Sequence, residues 1–176
     1  MVASLSVDRP KYAAYAASHA RHGDAGRVLA GRLLELADDD ANAYAAFAAA
    51  LKLPRETEDE KAARTAAIRS SARVAAEAPM RTLEACRDVV AGSEALAGRS
   101  NLNAASDLAV ASRLAEAAAH GAAENVMANL PSLGDAALAD EMRGRMEALL
   151  AEIEELAEAT RAHVERGELR DPEAGA

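Results

Sequence analysis

The stretch DAALADEMRGRMEALLAEIEELAEATRAHVER, residues 135–166, sets Leu138, Met142, Met146, Leu149, Ile153 and Leu156 at steps of three and four, with charged residues opposite. That is the period of an α-helix carrying one apolar stripe, and a strand cannot present it. Ser132 with Asp135 offers a capping pattern just ahead of it. Working back toward the N-terminus, Ala104 to about Asn129 reads as a helix closed by Pro131, preceded by a polar connection from Gly98 to Asn103. Pro79 sits well as a first-turn proline of a helix reaching Leu96, and Thr57 with Glu60 forms a capping box for a helix ending near Ala78. Residues 12–52 read as one long helix or two abutting ones, with Gly23 and Gly26 around Asp24 marking a kink or break. Pro54 ends that segment. The expectation is all-α, a bundle of five to six helices over 1–167, with 168–176 (ELRDPEAGA) a disordered tail.

Composition agrees. Alanine exceeds a quarter of the 176 residues, and it is the best helix former because it loses no side-chain entropy. Trp is absent, Phe47 is the only phenylalanine and β-branched residues do not cluster, so strands have little support. Helices faced with alanine approach closely, yet each contact buries little apolar area. A core so small is completed by subunit association, so an oligomer is expected.

The net charge of −9, with no basic stripe and few aromatics, disfavours nucleic acid. The start, MVASLSVDRP, lacks the basic-then-apolar order of a signal peptide, and no apolar run approaches membrane-spanning length. A single cysteine, Cys86 in TLEACRDVV, forms no intrachain disulfide and reads as a small packing residue. A cytoplasmic protein is expected.

Phosphate-cradling glycine loops, zinc-helix histidines and glycine-flanked nucleophilic serines are all missing from the sequence. His19 and His22 lie one turn apart, but no third ligand is evident, so they read as a solvated surface pair and no metal is expected. Three polar clusters remain. In LADDDANAYAAF (36–47), Asp40 and Tyr44 share a face while Asp38 points elsewhere. In SNLNAASDLAVA (100–111), Asn103 is a natural N-cap and Asp107 suits the helix dipole, but Ser106 with Asp107 at the mouth of an apolar helix also suits acid–base chemistry. In ENVMANLPSL (124–133), Asn125 and Asn129 share a face, where amides either bond a neighbouring helix or read a heterocycle's edge.

These clusters in this order, together with ALKLPRETEDEKAAR (50–64) and VDRPKY (7–12), resemble the cyclodeaminase/cyclohydrolase family of folate one-carbon enzymes. The likeness runs from Met1 to about Leu133, with a family-like final helix beyond. Family members open with a glycine-glycine-glycine-serine segment leading into a small-residue helix, whereas MVASLS looks like the end of that helix. Arg99-Ser100 also replace the usual glycine before the asparagine. The resemblance implies chemistry at the carbon bridging pterin and aniline nitrogen of tetrahydrofolate, with no cofactor beyond the folate substrate. It implies Asp107 as acid/base or cation-stabilising group, oriented by Ser106 and Asn103, with Asn125 and Asn129 toward the pterin. Lys52 and Arg55 would meet the glutamate tail, and Asp40 would wall the pocket. A homodimer or larger homo-oligomer is implied. The competing readings are a folate-binding protein without catalysis and a helical interaction module.

Overall fold

The computed structural model describes residues 1–172, and within them the fold is all-helical. Four long α-helices follow one another: α1 (Ala16–Ala50), α2 (Glu58–Leu96), α3 (Ala105–Asn129) and α4 (Ala136–Arg166). Short 3-10 turns at Pro10–Tyr15, Leu102–Ala104 and Leu130–Ser132 join or precede them. The count falls below the expected five to six because two anticipated breaks are absent. Gly23 and Gly26 lie inside α1 without ending it. Each costs about 1 kcal/mol relative to alanine, which the alanine-rich turns on either side absorb.

Pro79 is the larger departure, since α2 runs through it for 39 residues. A proline cannot donate to the carbonyl four residues back, here that of Ala75. The side-chain amide of Asn129 supplies the donor instead, its Nδ2 lying 3.1 Å from the Ala75 oxygen. A bond from another helix thus replaces the missing rung.

Where capping is local, expectation and structure agree. The Thr57 hydroxyl accepts from the Glu60 N–H at 3.2 Å, and the Glu60 carboxylate accepts from the Thr57 N–H at 3.0 Å. The Thr57 N–H, joined by the Glu56 N–H donating to the same oxygen at 2.8 Å, holds the Glu60 carboxyl below its ordinary pKa. At α4 the cap is Asp135, whose carboxylate accepts from Leu138 N–H at 3.1 Å. The C-terminal end stops at Gly167, with φ of 65°.

The long α2 is the central element. Its Met80, Leu83 and Val90 pack with Ala119, Ala122 and Val126 of α3 and with Met142, Met146 and Ile153 of α4. Burying a leucine- or isoleucine-sized group contributes about 1.5–3 kcal/mol each, while the alanines set the close helix spacing. Packing of α1 on α2 is extensive but uses smaller side chains, with Ala43 against Ala75 and Ala78 beside the buried Leu36 and Ala50, and Phe47 reaching the main core. Asp39 of α1 also pairs with Arg81 of α2 at 3.4 Å.

Residues 168–172, within the segment expected to be a disordered tail, lie against the end of α2. Arg170 bonds the end of α2, donating to the carbonyls of Glu94 (3.0 Å) and Ala97 (3.1 Å). The remaining tail residues, 173–176, lie outside the described residues. No helix is long and apolar enough to cross a membrane among the described residues.

Candidate functional site

Helices α1 and α3 flank α2 and leave a groove between them, occupied by two adjoining clefts. The first, of about 480 Å³, is walled by Gly26, Leu29 and Leu33 of α1, Val89 and Gly92 of α2 and Leu108 of α3. Into this mainly apolar lining come His22, Arg27, Asp88 and Asp107. A second cleft of about 290 Å³ shares Leu33 and carries Asp40 of α1, Thr82 of α2 and Asn125 of α3. Apolar walls with a few convergent polar groups are the usual form of a small-molecule site.

Asp107 stands in the first turn of α3, where the positive end of the helix dipole favours a carboxylate. It is exposed at the groove and not sunk at a buried helix mouth. Ser106 and Asn103, expected to orient it, are exposed and belong to neither cleft lining. Asn103 is also not the cap. Asn101 is, its Oδ1 accepting from Asn103 N–H at 3.1 Å, because the turn Leu102–Ala104 precedes α3 and starts two residues earlier than a direct helix entry.

Asn125 and Asp40, from separate sequence clusters, meet in the second cleft. Along α3 the eighteen helical steps from Asp107 to Asn125 span about 27 Å, so the two mark opposite ends of one groove. Asn129 does not join them. Its amide bonds the Ala75 carbonyl and the Asn125 carbonyl, at 3.1 and 2.8 Å, for the structural reason given above.

Lys52 and Arg55 lie exposed on the α1–α2 connection. From Gly26, which lines the Asp107 cleft, to Ala50 at the end of α1 is about 36 Å of helix. One chain therefore does not bring these cations to Asp107.

The His19–His22 pair is corrected as well. His19 is buried and its Nε2 lies 2.7 Å from the Arg99 carbonyl oxygen, so the ring carries its proton there and donates. His22 faces the groove. Among the described residues no group of three or more His, Cys, Asp or Glu is placed to hold a metal ion.

Reading the sequence missed Asp88 and Thr82. Both sit on the α2 face that looks into the groove, and the signal was faint: polar groups interrupting an apolar helix, RTL and RDVV. A third cleft of about 670 Å³ lies under the N-terminal segment and shares Ala3, Gly23 and Arg27 with the first.

Fold and groove define an all-helical protein with a mainly apolar cleft between three helices. Residues 1–148 match the family model described as Formiminotransferase-cyclodeaminase, and the chain belongs to that family. It is 35% identical over 152 residues to a methenyltetrahydrofolate cyclohydrolase of Methylorubrum extorquens, covering 86% of this chain and 73% of that one. It is 30% identical over 121 residues to the formimidoyltransferase-cyclodeaminase of Rattus norvegicus, covering 69% of this chain but 22% of that longer protein. Among solved structures, formiminotetrahydrofolate cyclodeaminase of Thermotoga maritima superposes with a TM-score of 0.83 at 25% identity, covering 94% of this chain and 79% of that one.

Proposed function

We propose that this chain is a folate one-carbon enzyme, releasing ammonia from formiminotetrahydrofolate to give 5,10-methenyltetrahydrofolate or hydrolysing the methenyl compound. The observation that carries the reading is Asp107, a carboxylate at the edge of an apolar groove in a chain of this family. Its relatives bear names from both activities.

Both reactions pass through a tetrahedral carbon and involve a cationic amidinium. In the deaminase direction the aniline nitrogen attacks the formimino carbon, loses its proton, and the departing nitrogen gains protons to leave as ammonia. In the hydrolase direction water attacks the same carbon, a proton is released and the bridge opens to the formyl derivative. Neither direction changes an oxidation state, so acid–base help suffices. Asp107 is assigned that role, with Asp88 facing the same cleft as a second negative charge toward the cation. Coulomb attraction strengthens where the apolar wall excludes water. Asn125, in the neighbouring cleft, offers an amide toward the far end of the substrate, and Asp40 stands beside it as part of the cleft wall.

Lys52 and Arg55 are assigned to the glutamate carboxylates, a role that requires a second copy given their distance from Asp107. A homodimer or larger oligomer also accounts for Val110 and Leu114 on α3 and Leu34 and Tyr44 on α1, all largely exposed in the single chain. The site of action is the cytoplasm.

The test is Asp107→Asn, assayed by the methenyltetrahydrofolate absorbance with formimino-, methenyl- and formyltetrahydrofolate in turn. Turnover drops by roughly 100- to 10,000-fold with the fold intact, the worth of general acid–base catalysis. Unchanged turnover removes Asp107 from the mechanism.

A further inference from the structure

The loop that launches α3, residues 97–103, is gripped from both ends of the chain. From the N-terminal side, Ser6 Oγ accepts the Asn101 N–H at 2.8 Å, Tyr12 Oη accepts the Leu102 N–H at 3.2 Å, and His19 donates to the Arg99 carbonyl. From the C-terminal side, Arg170 N–H donates to the Gly98 carbonyl at 2.8 Å, and Arg99 Nε donates to the Asp171 carbonyl at 2.7 Å.

The Arg170 side chain does more than cross over. Its guanidinium donates to the carbonyl of Glu94, which also accepts the Ala97 N–H at 3.1 Å, and to that of Ala97 just past the end of α2, and it pairs with the Glu94 carboxylate at 2.7 Å. Tyr15 Oη locks the strap by donating to the Arg170 carbonyl at 2.7 Å. Gly98 sits directly beneath, and a Cβ there would fall 2.8 Å from Arg170 Cγ and Cδ. The strap therefore uses a glycine at φ of 72° to lie against the loop.

A segment without regular structure, beyond the last helix, ordinarily needs no such anchoring. Here it satisfies the α2 end and fixes the loop from which Asn101 caps the turn into α3. Asp107 stands on the first turn after that loop, so its place depends on the loop's.

We infer that Arg170 is a positioning residue, holding loop 97–103 so that Asp107 is presented to the groove in one orientation. This rests on the reading of Asp107 as the acid–base group. A misplacement near 1 Å at a reacting group costs roughly a hundredfold in rate, so loss of the guanidinium reads out in kcat.

The full chain is prepared as wild type, Arg170→Met and Arg170→Lys. Amide hydrogen exchange is followed alongside steady-state kinetics on the methenyl and formimino folates. Arg170→Met is expected to accelerate exchange across residues 98–102 at least about tenfold while the Leu83–Val90 amides keep wild-type protection. Its kcat falls roughly ten- to a hundredfold with KM within about twofold. Arg170→Lys recovers part of kcat, and added guanidinium ion raises kcat of Arg170→Met but not of wild type.

The inference is overturned by wild-type kcat in Arg170→Met, by a change confined to KM, or by faster exchange at Leu83–Val90 that matches the loop and shows a merely global loosening. An inactive wild type defeats the functional reading instead, and the exchange data then decide by themselves whether the strap holds the loop.

Discussion

Pro79 and Asn129 form a pair whose coupling can be worked out in advance. The Ala75 carbonyl sits on a buried residue, 5% exposed, and lacks the helical donor because residue 79 is proline. Replacing Asn129 by alanine removes the substitute donor, and a buried carbonyl left without one costs about 1–3 kcal/mol. In a Pro79→Ala background the backbone N–H regained at that position reaches the Ala75 carbonyl along the helix, so the same Asn129→Ala change should cost far less. The double-mutant cycle is therefore expected to show a coupling of about 1–2 kcal/mol. Urea unfolding of the four proteins, followed by far-UV circular dichroism at one fixed protein concentration, measures it. With a urea slope of about 1–3 kcal/mol per molar, a coupling of that size separates the midpoints by several tenths of a molar or more. Additivity within about 0.5 kcal/mol would refute the argument and return the Asn129 amide to the candidate ligands of the groove.

The other predictions are independent of that pair. Burial foremost, then Arg170 and Arg166, hold the His163 pKa below its ordinary 6.5 against the opposing pull of Glu94. The unfolded chain thus takes up a proton that the folded chain resists, so stability is fully present above 6.5 and declines as pH falls through the window beneath it. His163→Gln should flatten that part of the Tm-versus-pH curve, and an identical slope in the variant would exclude the residue. Cys86 is 2% exposed and burial pushes its thiol pKa up, so iodoacetamide should modify it only on unfolding. Rapid labelling of the native protein would contradict that placement. Sedimentation velocity across a wide concentration range should show a species larger than one chain, and substitution of Leu34 and Leu114 by Asp should shift it toward the monomer. A monomer at every concentration would remove the second copy from the site.

What the sequence made legible was local. Thr57 and Glu60 lie three residues apart and act on each other, so their capping box can be read directly, and the same holds for the apolar stripe of α4. Pro79 misleads because its consequence is settled by Asn129, fifty residues later in the chain and on another helix. Asn103 reads as a cap because nothing in SNLNAA reveals that a 3-10 turn intervenes and moves the cap to Asn101. His19 reads as solvated because its partner is a backbone carbonyl eighty residues away. The tail reads as disordered on composition, and composition does not register that Arg170 meets the carbonyls of Glu94 and Ala97 at the end of α2.

The site was legible through resemblance more than through spacing, and the structure sorts the resulting set by geometry. Asp107 lies in one cleft and Asp40 with Asn125 in its neighbour, whereas Asn129 bonds α2 and Lys52 and Arg55 stand beyond the far end of α1. A continuous 35-residue helix does not bend to shorten that separation. If Lys52 or Arg55 meets the glutamate of a folate whose pterin lies at Asp107, the cation comes from another chain. The straight run of α1 from Leu29 to Ala50 is therefore what ties the charge assignment to oligomerisation. A break at Gly23–Gly26 would have swung only the first turns and left Leu29 to Ala50 as rigid, so the requirement would stand with the helix divided there.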